Sequence, residues 1–193
     1  MHSHFSLTRT FLSLSGGYSL DRVDKKLGKA LGRAVYVHGL SKLHLSANAF
    51  RTLDEALGWL LADVVDTVED TALSEIFVDS NIIRAVDWPP TSFAGISGCL
   101  AHLDLSKNKI RTIDVISAPL PQPITFGGLE WLDLSGNINL WHLLDGLFAT
   151  MPNLKRFVVE LDAVRSHAPT LSLVRSFVLQ VRRVLVCPQG RPR

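Results

Sequence analysis

Asp104 and Asp133 are the carboxylates of this 193-residue chain whose setting could support acid–base chemistry. Each is the aspartate of the same phrase, Leu-Asp-Leu-Ser, and if the two phrases lie side by side their charges repel. Repulsion of that kind raises one pKa and leaves one acid and one base. Recurrence of the phrase explains both aspartates without any reaction, and that reading is preferred. The seven histidines are scattered, and His44 and His102 fall in different columns of non-adjacent segments, so no shared metal is expected. Two cysteines, Cys99 and Cys187, stand far apart with no CxxC, which makes neither a disulfide framework nor a zinc site. Each reads as a buried structural thiol of a protein in a reducing compartment. HExxH, GxSxG, a Walker loop and GxGxxG do not occur. Gly16-Gly17 and Gly127-Gly128 read as turns rather than phosphate cradles. Arg182, Arg183, Arg191 and Arg193 form a basic end without interleaved aromatics, a solvated tail more than an RNA grip. The expectation is a protein with no catalytic site, no metal and no cofactor.

Composition narrows the remaining classes. The chain is 47% hydrophobic and 20% charged, which argues against wholesale disorder and fits one globular domain. Its net charge of +2 requires neither nucleic acid nor a membrane as partner. The apolar stretches break within about ten residues, whereas a span needs about 20.

The organising feature is a repeat. LSKLHLSANAF from Leu40, LSEIFVDSNII from Leu73, LAHLDLSKNKI from Leu100 and LEWLDLSGNIN from Leu129 share three aliphatics and an asparagine in register. The aliphatics are Leu40, Leu43 and Leu45; Leu73, Ile76 and Val78; Leu100, Leu103 and Leu105; and Leu129, Leu132 and Leu134. The asparagines are Asn48, Asn81, Asn108 and Asn137. Weaker copies hold Leu154, Phe157 and Val159 with Asp162, and Val181, Val184 and Val186 with Gln189. LSLSGGYSL from Leu12 aligns with LDLSGNINL, although Gly17 replaces the asparagine and Arg9 the first leucine. The middle aliphatics then fall at 12, 43, 76, 103, 132, 157 and 184.

This pattern resembles the leucine-rich-repeat family, whose signature is LxxLxLxxNxL. The spacing of 25 to 33 residues resembles its ribonuclease-inhibitor-like subclass, in which a helix follows each strand. The resemblance implies an α/β solenoid: a curved parallel sheet on the concave side and helices on the convex side. Residues 1–193 then form a single domain of six to seven repeats. Residues 1–35 are a worn first repeat or, with no acid in the first twenty, a targeting segment. Neither end carries a polar capping sequence, so a fragment of a longer solenoid, or ends covered by a partner, is expected.

Side chains alternate along a strand, so the two leucines of LxL point into the core and the residue between them points out. The asparagine amide is expected to bond the turn and the next repeat. Leu53, Leu57, Leu60, Leu61, Val64, Val65 and Val68 predict a helix over 51–68. Shorter helices are predicted over 141–150 and 170–180. The stretches 84–98 and 118–128, rich in proline and glycine, read as irregular, with room for a short helix.

On this geometry the outward positions line the concave face. Between the leucines are His44, Phe77, Asp104, Asp133 and Val158; before them Lys42, Glu75, His102, Trp131 and Arg156; after them Ser46, Asp79, Ser106, Ser135 and Glu160. Phe77 and Trp131 are aromatics that folding does not require there, set among acids. The resemblance implies a non-catalytic module that binds another protein through the concave sheet, and the acids Glu75, Asp79, Asp104, Asp133 and Glu160 suit a partner with a basic or mixed-charge segment. Its partner-binding residues are Trp131, Phe77, Asp104, Asp133, His102, Glu75, Asp79, Arg156, Glu160 and His44. The alternatives are a structural subunit of a large, even organellar, assembly, or a regulator of a small GTPase or ubiquitin ligase. An intracellular, cytoplasmic home is expected, with an organelle the alternative.

Overall fold

The computed structural model describes residues 11–16, 19–62, 72–88, 91–115, 125–140, 142–143, 146–159 and 183–186. They form an α/β structure with few helices and two sheets whose strand pairings are all parallel. The larger sheet is built from three- and four-residue strands: β1 Phe11–Ser13, β2 Lys42–His44, β3 Glu75–Phe77, β5 His102–Asp104, β7 Trp131–Asp133, β9 Arg156–Val159 and β10 Arg183–Val186. These lie in chain order, β1-β2-β3-β5-β7-β9-β10. The register keeps Leu12, Leu43, Ile76, Leu103, Leu132, Phe157 and Val184 level across the sheet. A smaller sheet, order β4-β6-β8, is made by β4 Ala85–Trp88, β6 Thr112–Val115 and β8 His142–Leu143.

Alternation explains which face is buried. All three aliphatics of each of the four strong repeats are buried, as are Leu154, Phe157 and Val159. Phe50, Phe93 and Phe126 fill the space behind them, Phe93 meeting Phe126 edge to face at 5.9 Å.

Backbone bonds between segments continue past the strands, and the buried asparagines satisfy groups that these leave over. Asn108 Nδ2 donates to the carbonyls of Leu105 at 3.1 Å, Ser106 at 3.2 Å and Val78 at 3.0 Å, while Oδ1 accepts from the Ile83 N–H at 3.1 Å. Asn48, Asn81 and Asn137 repeat the arrangement. Each amide reaches back to the preceding segment, where the sequence suggested the following one. The residue before each asparagine adopts a left-handed backbone: Ala47, Ser80, Lys107 and Gly136, with φ of 55°, 57°, 52° and 71°. At Gly136 a Cβ would also lie 2.9 Å from Lys107 Cγ, so glycine serves both conformation and close approach.

Two α-helices precede the third strand. Helix α1, Lys25–His38, was not expected from the sequence; Asp24 caps it by accepting from the Leu27 N–H at 2.8 Å, and Leu31 and Val35 are buried one turn apart. Helix α2, Leu53–Ala62, begins with a capping box in which Thr52 Oγ1 accepts from the Glu55 N–H while Glu55 Oε2 accepts from the N–H groups of Arg51 and Thr52. The rest of the helix predicted over 51–68, and all of that over 170–180, lie outside the described residues. The two helices pack on one another, and α2 on the 3₁₀ helix Thr91–Ile96 that interrupts the irregular stretch 84–98. The helix predicted over 141–150 is corrected to strand β8 followed by a 3₁₀ turn, Leu147–Thr150. Pairing with β6 claims the backbone at 142–143, and Gly146 with φ 80° breaks any α-helical run.

Replacing Asn108 by leucine should lower the unfolding free energy by about 3 kcal/mol, because it strands the buried Ile83 N–H and removes four hydrogen bonds. The same change at exposed Asn153, whose Nδ2 donates to the Gly127 carbonyl, should cost less than about 1 kcal/mol. Urea unfolding of the two variants makes the comparison; equal losses would show that the ladder adds nothing.

Candidate functional site

The face of the large sheet turned away from the leucines holds two rows of side chains. Register places Phe11, Lys42, Glu75, His102, Trp131 and Arg156 in one row, and Ser13, His44, Phe77, Asp104, Asp133 and Val158 in the next. Adjacent strands lie about 4.8 Å apart, the spacing at which flat rings can stack. Rings from five strands meet in series. Phe11 meets His44 edge-on at 4.7 Å, His44 stacks on Phe77 at 4.0 Å, Phe77 meets His102 at 4.7 Å, and His102 meets Trp131 at 3.7 Å. The guanidinium of Arg156 closes the series 4.4 Å over the Trp131 ring.

This arrangement refines the sequence reading in three ways. His44 and His102, which the sequence set apart, are joined through Phe77 between them. Phe77 and Trp131 are half-buried by their neighbours rather than standing free, while Phe11, not singled out by the sequence, is 52% exposed at the end of the series. Val158, expected to face outward, is buried at 4% exposure between strands β7 and β10. Glu160 lies outside the described residues.

Acidic groups flank the rings. Asp104 and Asp133 are level on adjacent strands, and each Oδ1 accepts from the N–H two residues on, Ser106 and Ser135, at 2.8 Å. Asp79 accepts from the hydroxyls of Ser46 and Ser80. Lys42 pairs with Glu75 at 2.7 Å. Burial pushes the Asp104 carboxyl above its usual range, with Asp133 and Asp79 adding repulsion against the relief of the Ser106 bonds. Burial holds both imidazoles below their usual range: at His44 the carboxylates of Asp79 and Glu75 oppose it, and at His102 those of Glu75 and Asp133. The ring atoms His102 Nε2 and Trp131 Nε1 are sealed from solvent and have no hydrogen-bond partner among the described residues.

Elsewhere, the half-buried Cys99 thiol lies 3.3 Å from the Ile96 carbonyl oxygen, and Cys187 is outside the described residues. Among the described residues no group of three or more His, Cys, Asp or Glu could hold a metal ion, and no helix is long and apolar enough to cross a membrane. No protein-family model matches the chain, and no curated protein matches it in sequence.

Two outcomes follow. His44 and His102 are held below the unfolded value of about 6.5, so the unfolded chain takes up more protons as pH falls. Stability should therefore drop as pH falls through about 6.5 and level off below the folded values; urea midpoints from pH 8 to 5 read this, and His102→Phe should flatten the slope and, by removing an unpartnered nitrogen, hold or raise the midpoint at pH 7. Asp104 has the opposite sign: its folded pKa is raised, so its ionisation weakens the fold as pH rises above about 3.9. Asp104→Asn, which keeps the acceptor for Ser106, should raise the thermal midpoint at pH 7 and lose that advantage near pH 3.

Proposed function

We propose that the chain is a leucine-rich-repeat solenoid of the ribonuclease-inhibitor-like kind, a non-catalytic module that binds another protein through its concave sheet face. Support for the fold comes from strands in chain order, all parallel, with the repeated aliphatics level and the asparagines in one hydrogen-bonded series. The observation that carries the functional reading is the unbroken run of rings from Phe11 to Trp131 on the outward face, ended by Arg156 and flanked by carboxylates. Aromatic and arginine side chains held rigid at the centre of a face are what binding hot spots are made of, because little side-chain entropy remains to be lost on docking. A core of leucines needs none of these groups on its far side.

The geometry gives no comparable support to catalysis. Asp104 and Asp133 each spend one oxygen on a local turn, and among the described residues neither imidazole of the face hydrogen-bonds to them. Crosslinking of the intact chain, with captured proteins identified by mass spectrometry, tests the reading against Trp131→Ala. One specific protein should disappear from the variant's captures while circular dichroism shows the variant folded. An unchanged set would move the contact off this face.

A further inference from the structure

From β2 to β7 the ring face carries the charged side chains Lys42, Glu75, Asp79, Asp104 and Asp133, while β9 and β10 place Arg156 and Arg183 level with one another at its end. With both imidazoles neutral the β2–β7 stretch sums to −3, whereas the whole chain carries +2. This stretch is thus acidic on a basic protein; Lys42 pairs with Glu75, and Arg156 packs on the Trp131 ring. Neither Asp104 nor Asp133 forms a salt bridge among the described residues; each gives Oδ1 to the N–H of its own turn, and the Ser106 side chain also bonds Asp104.

Their spacing selects the cation that would fit. Level positions on paired strands stand about 4.8 Å apart, a gap that a planar guanidinium can bridge with N–H donors directed to both carboxylates. An ammonium, a point charge with stronger hydration, makes less of two fixed acceptors. The rings beside the pair offer flat surface on which a guanidinium packs, and Arg156 on Trp131 already shows that packing on this face.

We propose that the partner segment is an extended stretch of polypeptide bearing arginine, with one guanidinium seated between Asp104 and Asp133 beside the Phe77–His102–Trp131 rings. This rests on the reading of the face as a protein-binding surface and names the chemistry it takes. Binding relieves the repulsion between the two aspartates.

The test uses a fluorescent seven-residue peptide of alternating arginine and serine, whose arginines share one side of an extended chain, followed by anisotropy with the intact 193-residue chain. The arginine peptide should bind at least about tenfold more tightly than its lysine counterpart, and the neutral citrulline peptide more weakly still. Asp104→Asn with Asp133→Asn, which keeps both local turns, should weaken the arginine peptide at least about tenfold. Asp54→Asn on exposed helix α2 should leave it unchanged. Equal binding of all three peptides, no loss in the double variant, or equal loss in Asp54→Asn would each overturn the proposal. If the Trp131→Ala capture loses a protein but the peptide pattern fails, the arginine assignment falls and the binding face stands. If neither responds, both fall.

Discussion

Three carbonyl oxygens, those of Leu45, Val78 and Leu105, each accept two amide hydrogens from asparagines one segment apart. Leu45 receives Asn48 and Asn81, Val78 receives Asn81 and Asn108, and Leu105 receives Asn108 and Asn137. Backbone bonds run on past each three-residue strand, from the N–H groups of Leu45, Val78 and Leu105 to the next segment, but the carbonyls of these same three residues are left to side chains. An unmet buried polar group costs about 1–3 kcal/mol, so turns of this kind cannot stack unless something supplies the missing donors and acceptors. One side-chain amide per segment does, and because it bonds both its own turn and the preceding one it also fixes the rise between them. The left-handed residue before each asparagine follows from the same demand, since it aims the amide into the interior.

Fixing that rise is what makes the outward face specific. The connectors differ in content, one an α-helix, one a β-strand and a 3₁₀ turn, yet the strands that follow keep the same register. Side chains before and between the leucines are therefore delivered at one spacing from strand to strand, whatever lies behind them. His44, Phe77, His102 and Trp131 come from four separate segments, and their rings approach within 3.7 to 4.7 Å because the interior sets the pitch.

The strands and their buried faces were legible in the sequence because a single period governs them. Leu43, Ile76, Leu103 and Leu132 could be put in register from spacing alone, and the asparagines with them. Less visible were features that depend on what a neighbour does. Helix α1 was hidden although Asp24 and the Leu27, Leu31, Val35 spacing were present, because Gly28 and Gly32 dilute its pattern. The short strands β4, β6 and β8 carry no alternation long enough to read and exist only because they pair with one another. Left-handed turns announce themselves at Gly136 but not at Ala47, Ser80 or Lys107, where packing imposes what the residue type disfavours. On the outward face the residues were identifiable and their contacts were not: nothing in a sequence says that two histidines will clasp a phenylalanine between them.

Those contacts run against the economy of the fold. Stacking seals the indole Nε1 of Trp131 and the Nε2 of His102 without a hydrogen bond to either among the described residues, and burial beside like charges lifts the Asp104 carboxyl above its usual range. Replacing these groups by apolar or neutral ones would make a more comfortable sheet. Where every local choice but a few agrees with the fold, the dissenting few mark positions at which stability has been exchanged for something else. In this chain they fall together, on one side of one sheet, within reach of one another. The interior behind them is uniform, nearly interchangeable from segment to segment, and carries no information about a partner. The mismatch between a self-consistent interior and an unsatisfied face is the physical reason to look for the protein's function on that face.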